Sequence, residues 1–473
     1  MIKFGTSGFR GIIADNYTKE AVQKIAYALC EIARKEEIKN PEIVVGYDNR
    51  FMSQDFAKWA SEVLATTMKV KFYSIPAPTP LISFETKNLD FGLMLTASHN
   101  PYNYSGVKVI LRGGRDCDNE FAKKIERIAN KVKLSEIQTK SFDDAVKEKR
   151  ITIVDNIKSY CDSILKFVDV KKIQKSNIKV IANSMHGNAT ASVKYLFDKL
   201  KLNYELINEN IDPYFEHKLP APYKNNIEDQ AKRVVKEKFD LGVAFDGDGD
   251  RFAMISSSGK YYDCNFVGAV LYYYLIKVKN MDCGVSKNYA ITSLMYRLAE
   301  SFGKNCYETV VGFKNIATSL LNTDSLIGVE SNGIAFKPHS LIKDGPLVAV
   351  LLIDAICALG KSFDEILDDI QRAMNFKSHI VEYNYPITDK QKEKINELVY
   401  IQKKTPKIKG RKIKEVNYDD GCKVIYEDGY WAMLRFSGTE PLVRVYAEMK
   451  DLKGCNELVG HYEKFLGIKT RQQ

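Results

Sequence analysis

Along the chain, short apolar runs lead repeatedly into polar loops and then into amphipathic stretches with helical spacing. That order predicts strand, loop and helix in turn, and hence α/β domains. Four loops stand out. Phe91-Gly92-Leu93-Met94-Leu95 runs into a loop holding Ser98, and Leu241-Gly242-Val243-Ala244-Phe245 runs into Asp246-Gly247-Asp248-Gly249-Asp250-Arg251. Leu326-Ile327 leads into Gly328-Val329-Glu330-Ser331-Asn332-Gly333, and Trp431-Ala432-Met433-Leu434 into Arg435-Phe436-Ser437-Gly438-Thr439-Glu440-Pro441. Polar residues interrupt the periodic segments at 147–150, 256–258 and 375–379. Cutting there gives expected domains 1–150, 151–256, 257–376 and 377–473, with one loop in each. The last, with Lys403-Lys404-Thr405-Pro406-Lys407 and a strand-rich stretch after Lys423, is expected to be smaller and α+β. Open α/β sheets bind ligands at the carboxyl ends of their strands, so the loops are expected to converge on one central cleft.

A length of 473 residues agrees with several domains, and 45% hydrophobic with 27% charged residues is the composition of a folded globular protein. The longest apolar runs, 267–276 and 347–353, stop at Lys277 and Asp354, well short of the ~20 residues a membrane helix needs. The start, Met1-Ile2-Lys3-Phe4-Gly5, has no apolar leader, so a cytoplasmic location is expected with no membrane partner. Nine cysteines occur singly and form no Cys-x-x-Cys pair, which reads as reduced thiols and not as a zinc site. The formal charge of +10 is spread over the whole chain, the pattern of a solvated basic surface with no nucleic-acid tract.

The alternating glycines of the second loop let Asp246, Asp248 and Asp250 point at one centre, and three hard carboxylate oxygens suit Mg²⁺. An EF-hand would need glycine at Arg251 and glutamate at Ser257. Ser98 follows the small Ala97 and precedes His99, Asn100 and the stiffening Pro101. Alone, it would be a turn residue. Beside a three-carboxylate metal loop it reads as a covalent carrier, because an oxygen of phosphoserine would complete the shell of the metal. Arg435, Ser437, Gly438, Thr439 and Arg444 offer guanidinium forks, hydroxyls and close backbone amides, which match a phosphate that is held and not transferred. No Walker loop competes, since Gly360-Lys361-Ser362 has Ala355 where the earlier glycine belongs. Glu330 and Ser331 suit sugar hydroxyls, and Lys343 and the Gly312-Phe313-Lys314 turn lie in the same expected domain.

In this order the four loops resemble the α-D-phosphohexomutase superfamily, over nearly the whole chain. Gly5-Thr6-Ser7-Gly8-Phe9-Arg10-Gly11 is similar to the amino-terminal signature of that family, 96–101 to its phosphoserine loop and 246–251 to its metal loop. Residues 435–441 are similar to its phosphate-binding loop, and 328–333 resemble its sugar-recognition loop. The resemblance implies three similar α/β domains plus a smaller α+β C-terminal domain around a central cleft. It implies reversible conversion of hexose 1-phosphate to hexose 6-phosphate through phosphoserine Ser98, with Mg²⁺ held by Ser98, Asp246, Asp248 and Asp250 and hexose 1,6-bisphosphate as primer. Lys108, His99 and Arg10 take catalytic parts in this reading, with Lys108 either the general acid/base or a stabilising charge. Arg251 joins Glu330, Ser331, Lys343 and the 435–444 residues in binding substrate.

Glucose phosphate is the first expected sugar and mannose phosphate the next, although Val329 and the adjacent Glu330 and Ser331 depart from the usual sugar loop. The same scaffold would also serve a phosphopentomutase or a hexose-bisphosphate synthase. A catalytically silent sugar-phosphate-binding protein is the reading from a different class, and the intact Ser98 and aspartates speak against it. Expected partners are small sugar phosphates, in a monomer or homodimer.

Overall fold

The computed structural model describes residues 1–5, 8–437 and 441–468. The first sheet runs in the order Phe4–Gly5, Gly8–Ile12, Tyr104–Leu111, Phe91–Leu95, Glu42–Tyr47, Lys69–Tyr73, Ile151–Val154. The second runs Asn203–Ile207, Lys179–Asn183, Leu241–Phe245, Phe252–Ser256, Tyr261–Tyr262, and the third Cys306–Thr309, Gly284–Asn288, Ser325–Glu330, Gly333–Phe336. One device recurs in all of them. A strand paired in parallel with its neighbour (Phe91–Leu95, Leu241–Phe245 or Ser325–Glu330) ends in the motif turn and is followed by an antiparallel return strand. The turn therefore lies at the carboxyl end of a parallel strand, where ligands bind in such sheets. The fourth domain is an antiparallel sheet, His379–Pro386, Leu442–Met449, Trp431–Phe436, Cys422–Tyr426, Ile413–Asn417, packed against helix Leu452–Leu466. This is the expected architecture of three α/β domains and one α+β domain.

Two expected boundaries move. Ile151–Val154 pairs in parallel with Lys69–Tyr73, so the first sheet runs past 150, and Tyr261–Tyr262 pairs with Phe252–Ser256, so the second runs past 256. The third boundary, at 376, falls between helix Phe363–Ala373 and strand His379–Pro386. Gly328, Val329 and Glu330 also belong to the strand and not to the loop. Only Ser331 and Asn332 turn, with Glu330 paired to Gly333.

The two long apolar runs form the helices Cys264–Lys277 and Gly345–Leu359. Apolar all round, they are buried among the first three domains, in a hydrophobic cluster that runs from Val44 to Phe376. Asp344 caps the second helix by accepting from Leu347 N, Pro346 occupies its first turn and Gly360 ends it in a left-handed conformation. Among the described residues no single helix is long and apolar enough to cross a membrane. The fourth domain has its own core and meets the third through a patch of Ala290, Trp431, Met433 and Tyr446. Beside it Glu448, fully buried, accepts from Thr292 Oγ1 at 2.5 Å and from Ser293 N, at the start of helix Ser293–Ser301. A carboxylate at the positive end of that helix ties the two domains.

Leu352 lies in the shared cluster with no exposed surface. Leu352→Ala is expected to lower stability by about 3 kcal/mol in thermal or urea unfolding, and a loss under about 1 kcal/mol would mean that the helix is not a close-packed keystone.

Candidate active site

Ser98 is buried, with φ +53°, a left-handed conformation rare outside glycine. Two contacts hold it there. Its N–H donates to Thr96 Oγ1 at 2.8 Å, and its carbonyl accepts from Arg50 Nη2 at 2.8 Å. Arg50 also donates to the carbonyls of Asn100 at 2.6 Å, Pro101 at 2.7 Å and Tyr104 at 3.0 Å, while its Nε pairs with Asp48 at 3.2 Å. One guanidinium thus clamps the whole serine loop from beneath, with Phe215 of the second domain 4.9 Å from it.

The Ser98 hydroxyl donates to Asp246 Oδ2 at 2.7 Å, across the interface of the first and second domains. The loops meet so closely that a Cβ on Gly247 would lie 2.7 Å from the Ser98 carbonyl oxygen, so only glycine fits there. His99 Nε2 is 3.3 Å from Arg251 Nη2, and His99 Nδ1 is 3.4 Å from Ser98 Oγ. Burial, with Arg251, Arg10 and Lys343 nearby, drives His99 far below its ordinary pKa, so the ring is neutral. Because arginine can only donate, Nε2 accepts, and the single ring proton sits on Nδ1 facing the serine oxygen.

Asp246, Asp248 and Asp250 are buried, and each offers a carboxylate oxygen within 4.8 Å of the others. Burial and its two neighbours push Asp246 up to about 7. Burial also works against charge on Asp248 and Asp250, yet both stay below the ordinary range. Lys108 Nζ donates to Asp248 Oδ2 at 2.6 Å and to Asp250 Oδ2 at 2.7 Å, and Lys343 lies 3.3 Å from Asp250. The same carboxylates hold Lys108 above its ordinary value against burial, so it is a cation. Thr79 Oγ1 donates to Asp248 Oδ2 at 2.5 Å, while Asp248 Oδ1 is buried with no hydrogen-bond partner among the described residues. An orphaned anionic oxygen among convergent carboxylates fits a divalent cation.

Glu330 Oε1 accepts from Asn288 Nδ2 at 3.0 Å and Gly312 N at 2.8 Å. The turn after it is held from its own domain and, through Phe252, from the second. Ser331 O accepts from Cys264 N at 3.0 Å, Asn332 O from Phe252 N at 3.2 Å, and Asn332 Oδ1 from Lys343 at 3.4 Å. Arg10, on the strand beside the serine loop, donates to Asn100 Oδ1 at 2.5 Å. In the fourth domain Arg435 and Arg444 stand directly opposite one another on paired strands, with Asp420 2.7 Å from Arg435 and Glu382 3.7 Å from Arg444. Ser437 N donates to Leu442 O at 3.0 Å, and Gly438 and Thr439 lie outside the described residues, as do Thr6 and Ser7.

Family profiles described as phosphoglucomutase/phosphomannomutase α/β/α domains I, II and III match residues 1–136, 158–259 and 263–373, and the family's C-terminal domain matches 382–460. The chain belongs to the phosphoglucomutase/phosphomannomutase family. It is therefore an enzyme of the phosphohexomutase class, an intramolecular phosphotransferase. It is 30% identical to a phosphoglucosamine/phosphogalactosamine mutase of Sulfurisphaera tokodaii, over 98% of each chain. It is 28% identical to a phosphoglucomutase/phosphomannomutase of Thermococcus kodakarensis, over 99% of this chain and 98% of the other. A crystal structure from Thermus thermophilus, assigned as a phosphomannomutase, superposes with a TM-score of 0.85 at 28% identity, covering 98% of this chain and 99% of the other.

Within this family frame the structure gathers Ser98, His99, Arg251, Lys108, Lys343 and the three aspartates into one contact network. Glu330 on the third domain is linked to Arg435 on the fourth only indirectly, through the Val311–Gly312 amides and Asp420. Arg50, Thr79, Asn288 and Tyr223, whose hydroxyl accepts from Arg251 at 2.8 Å, are absent from the sequence reading. The sign of Arg50 is present in outline: Asp48-Asn49-Arg50 follows the apolar strand Glu42–Tyr47, as the other loops follow theirs. Arg50→Lys is expected to keep the fold and lower turnover about 100-fold, since a point charge cannot span four carbonyls and the serine would shift. Near-normal turnover with an unchanged circular dichroism spectrum would show that the loop holds itself.

Proposed function

We propose that this phosphohexomutase carries its phosphoryl group on Ser98, holds Mg²⁺ with Asp246, Asp248, Asp250 and an oxygen of the phosphorylated Ser98, and is primed by a hexose 1,6-bisphosphate. The observation that carries this is the hydroxyl of Ser98 bonded to Asp246 in a buried, strained loop. When bound, the cation supplies neutralisation of the charge that develops on the transferring phosphoryl oxygens. Ser98 presents Oγ with its proton directed to Asp246 Oδ2. His99 directs its Nδ1 proton to Ser98 Oγ, and Arg251 fixes the imidazole tautomer. Lys108, held charged between Asp248 and Asp250, is assigned to charge stabilisation more readily than to proton abstraction. Arg10 supports the loop through Asn100.

Arg435, Arg444, Ser437, Gly438 and Thr439 would anchor the phosphate that is not being transferred. Glu330 would accept from sugar hydroxyls with the oxygen that Asn288 and Gly312 leave, beside Ser331 and Lys343. Glucose phosphate is the sugar we place first, with mannose phosphate next. A hexosamine phosphate is the second reading, favoured by the relative from Sulfurisphaera tokodaii and by a phosphoglucosamine mutase of Methanocaldococcus jannaschii, 26% identical over 96% of each chain.

Ser98→Ala is expected to lower mutase turnover by about a thousandfold or more and to abolish the phosphate seen in intact-protein mass after priming. Full turnover in that variant would end the phosphoserine mechanism. With glucose, mannose and glucosamine 1-phosphates compared at equal concentration, kcat/KM is expected to be highest for glucose. A tenfold advantage for glucosamine would replace that assignment, as roughly 1.4 kcal/mol of transition-state preference.

A further inference from the structure

Asp420 joins two loops that the proposed reaction uses for different ends of the substrate. It lies in the turn between strands Ile413–Asn417 and Cys422–Tyr426. Its Oδ1 accepts from Arg435 Nε at 2.7 Å, and its Oδ2 accepts from the backbone N–H of Val311, in the third domain, at 2.6 Å. The next amide, Gly312 N, donates to Glu330. Two consecutive N–H groups therefore hold one carboxylate from each domain, Glu330 at the sugar loop and Asp420 beneath the arginine of the phosphate loop.

The Asp420 turn is stiffly placed. Gly421 has φ +95°, and a Cβ there would lie 2.3 Å from the carbonyl oxygen of Leu434, the residue before Arg435. On the domain interface Tyr289 donates its hydroxyl to Asp419 at 2.8 Å, and Lys423 donates to Tyr289 O at 2.7 Å. Asp420 takes the Nε side of the guanidinium, so its plane is fixed while the two Nη groups present the fork that a phosphate accepts from.

We propose that Asp420 is a positioning residue that orients Arg435 for the substrate phosphate and ties that orientation to the docking of the fourth domain on the Val311–Gly312 turn. Phosphate anchoring and sugar recognition are then assembled together. This rests on the reading of Arg435 as a phosphate anchor, and the test separates the two.

The full chain is assayed with glucose 1-phosphate and with glucosamine 1-phosphate, primed by the bisphosphate, as parent, Asp420→Asn, Arg435→Ala and the double variant. Asp420→Asn is expected to raise KM about tenfold with kcat changed less than about threefold, and to add no further rise in the Arg435→Ala background. Asp420→Glu, which keeps the charge, is expected to recover part of the loss. As a second readout, glucose 1-phosphate should raise the melting temperature of Asp420→Asn less than that of the parent. An unchanged KM in Asp420→Asn overturns the proposal, and so does a full independent rise in the double variant. If Arg435→Ala itself leaves KM unchanged, the anchor reading fails and the proposal falls with it.

Discussion

Three carboxylates buried in one six-residue loop are the constraint around which this protein is organised. Taking a carboxylate out of water costs several kcal/mol unless positive charge or hydrogen bonds replace the solvent, and Asp246, Asp248 and Asp250 also repel one another. The replacements come from all the neighbouring domains. Lys108 and Thr79 reach in from the first, Arg251 from the second and Lys343 from the third. A site that no single domain can neutralise holds three domains in register, and the hydrophobic cluster shared by those domains gives the same assembly its bulk. Placing Ser98 at the edge of this field puts the hydroxyl where a phosphate's charge would find compensation already in place.

Legibility in the sequence follows the range of the interactions. The 246–251 loop is readable because its carboxylates are alternate residues of one turn, and Ser98 because that loop stands beside it in the reading. The repeated strand, turn and return strand is readable for the same reason, since each is a contiguous segment. Arg50 is not, because its partners are backbone carbonyls 48 to 54 residues away, and a carbonyl leaves no mark in a sequence. The first two domain boundaries escape a sequence reading because Ile151–Val154 and Tyr261–Tyr262 join their sheets by pairing, after the polar interruptions that suggest an end. Glu330 reads as a loop residue because a two-residue hairpin turn looks, from composition alone, like a longer polar stretch.

The fourth domain stands apart in its energetics. Its core is separate, and it meets the third domain through an aromatic patch, the stack of Tyr430 on Phe376 and polar contacts that include Glu448, Lys423 and Asp420. Burial lowers Lys423 to about 8, with Lys287 adding to the effect of burial and Glu308 opposing it. Such an interface relies on directional polar contacts as well as on apolar packing.

Arg50 binds the serine loop only through main-chain oxygens. This clamp therefore does not depend on the side chain that the loop carries at Asn103, whereas Tyr102 packs on Tyr214 and His217 of the second domain. The side chain at 103 can change without loosening the hold of the guanidinium on the main chain around Ser98. A single guanidinium in this way separates the surface of the serine loop from the course of its main chain.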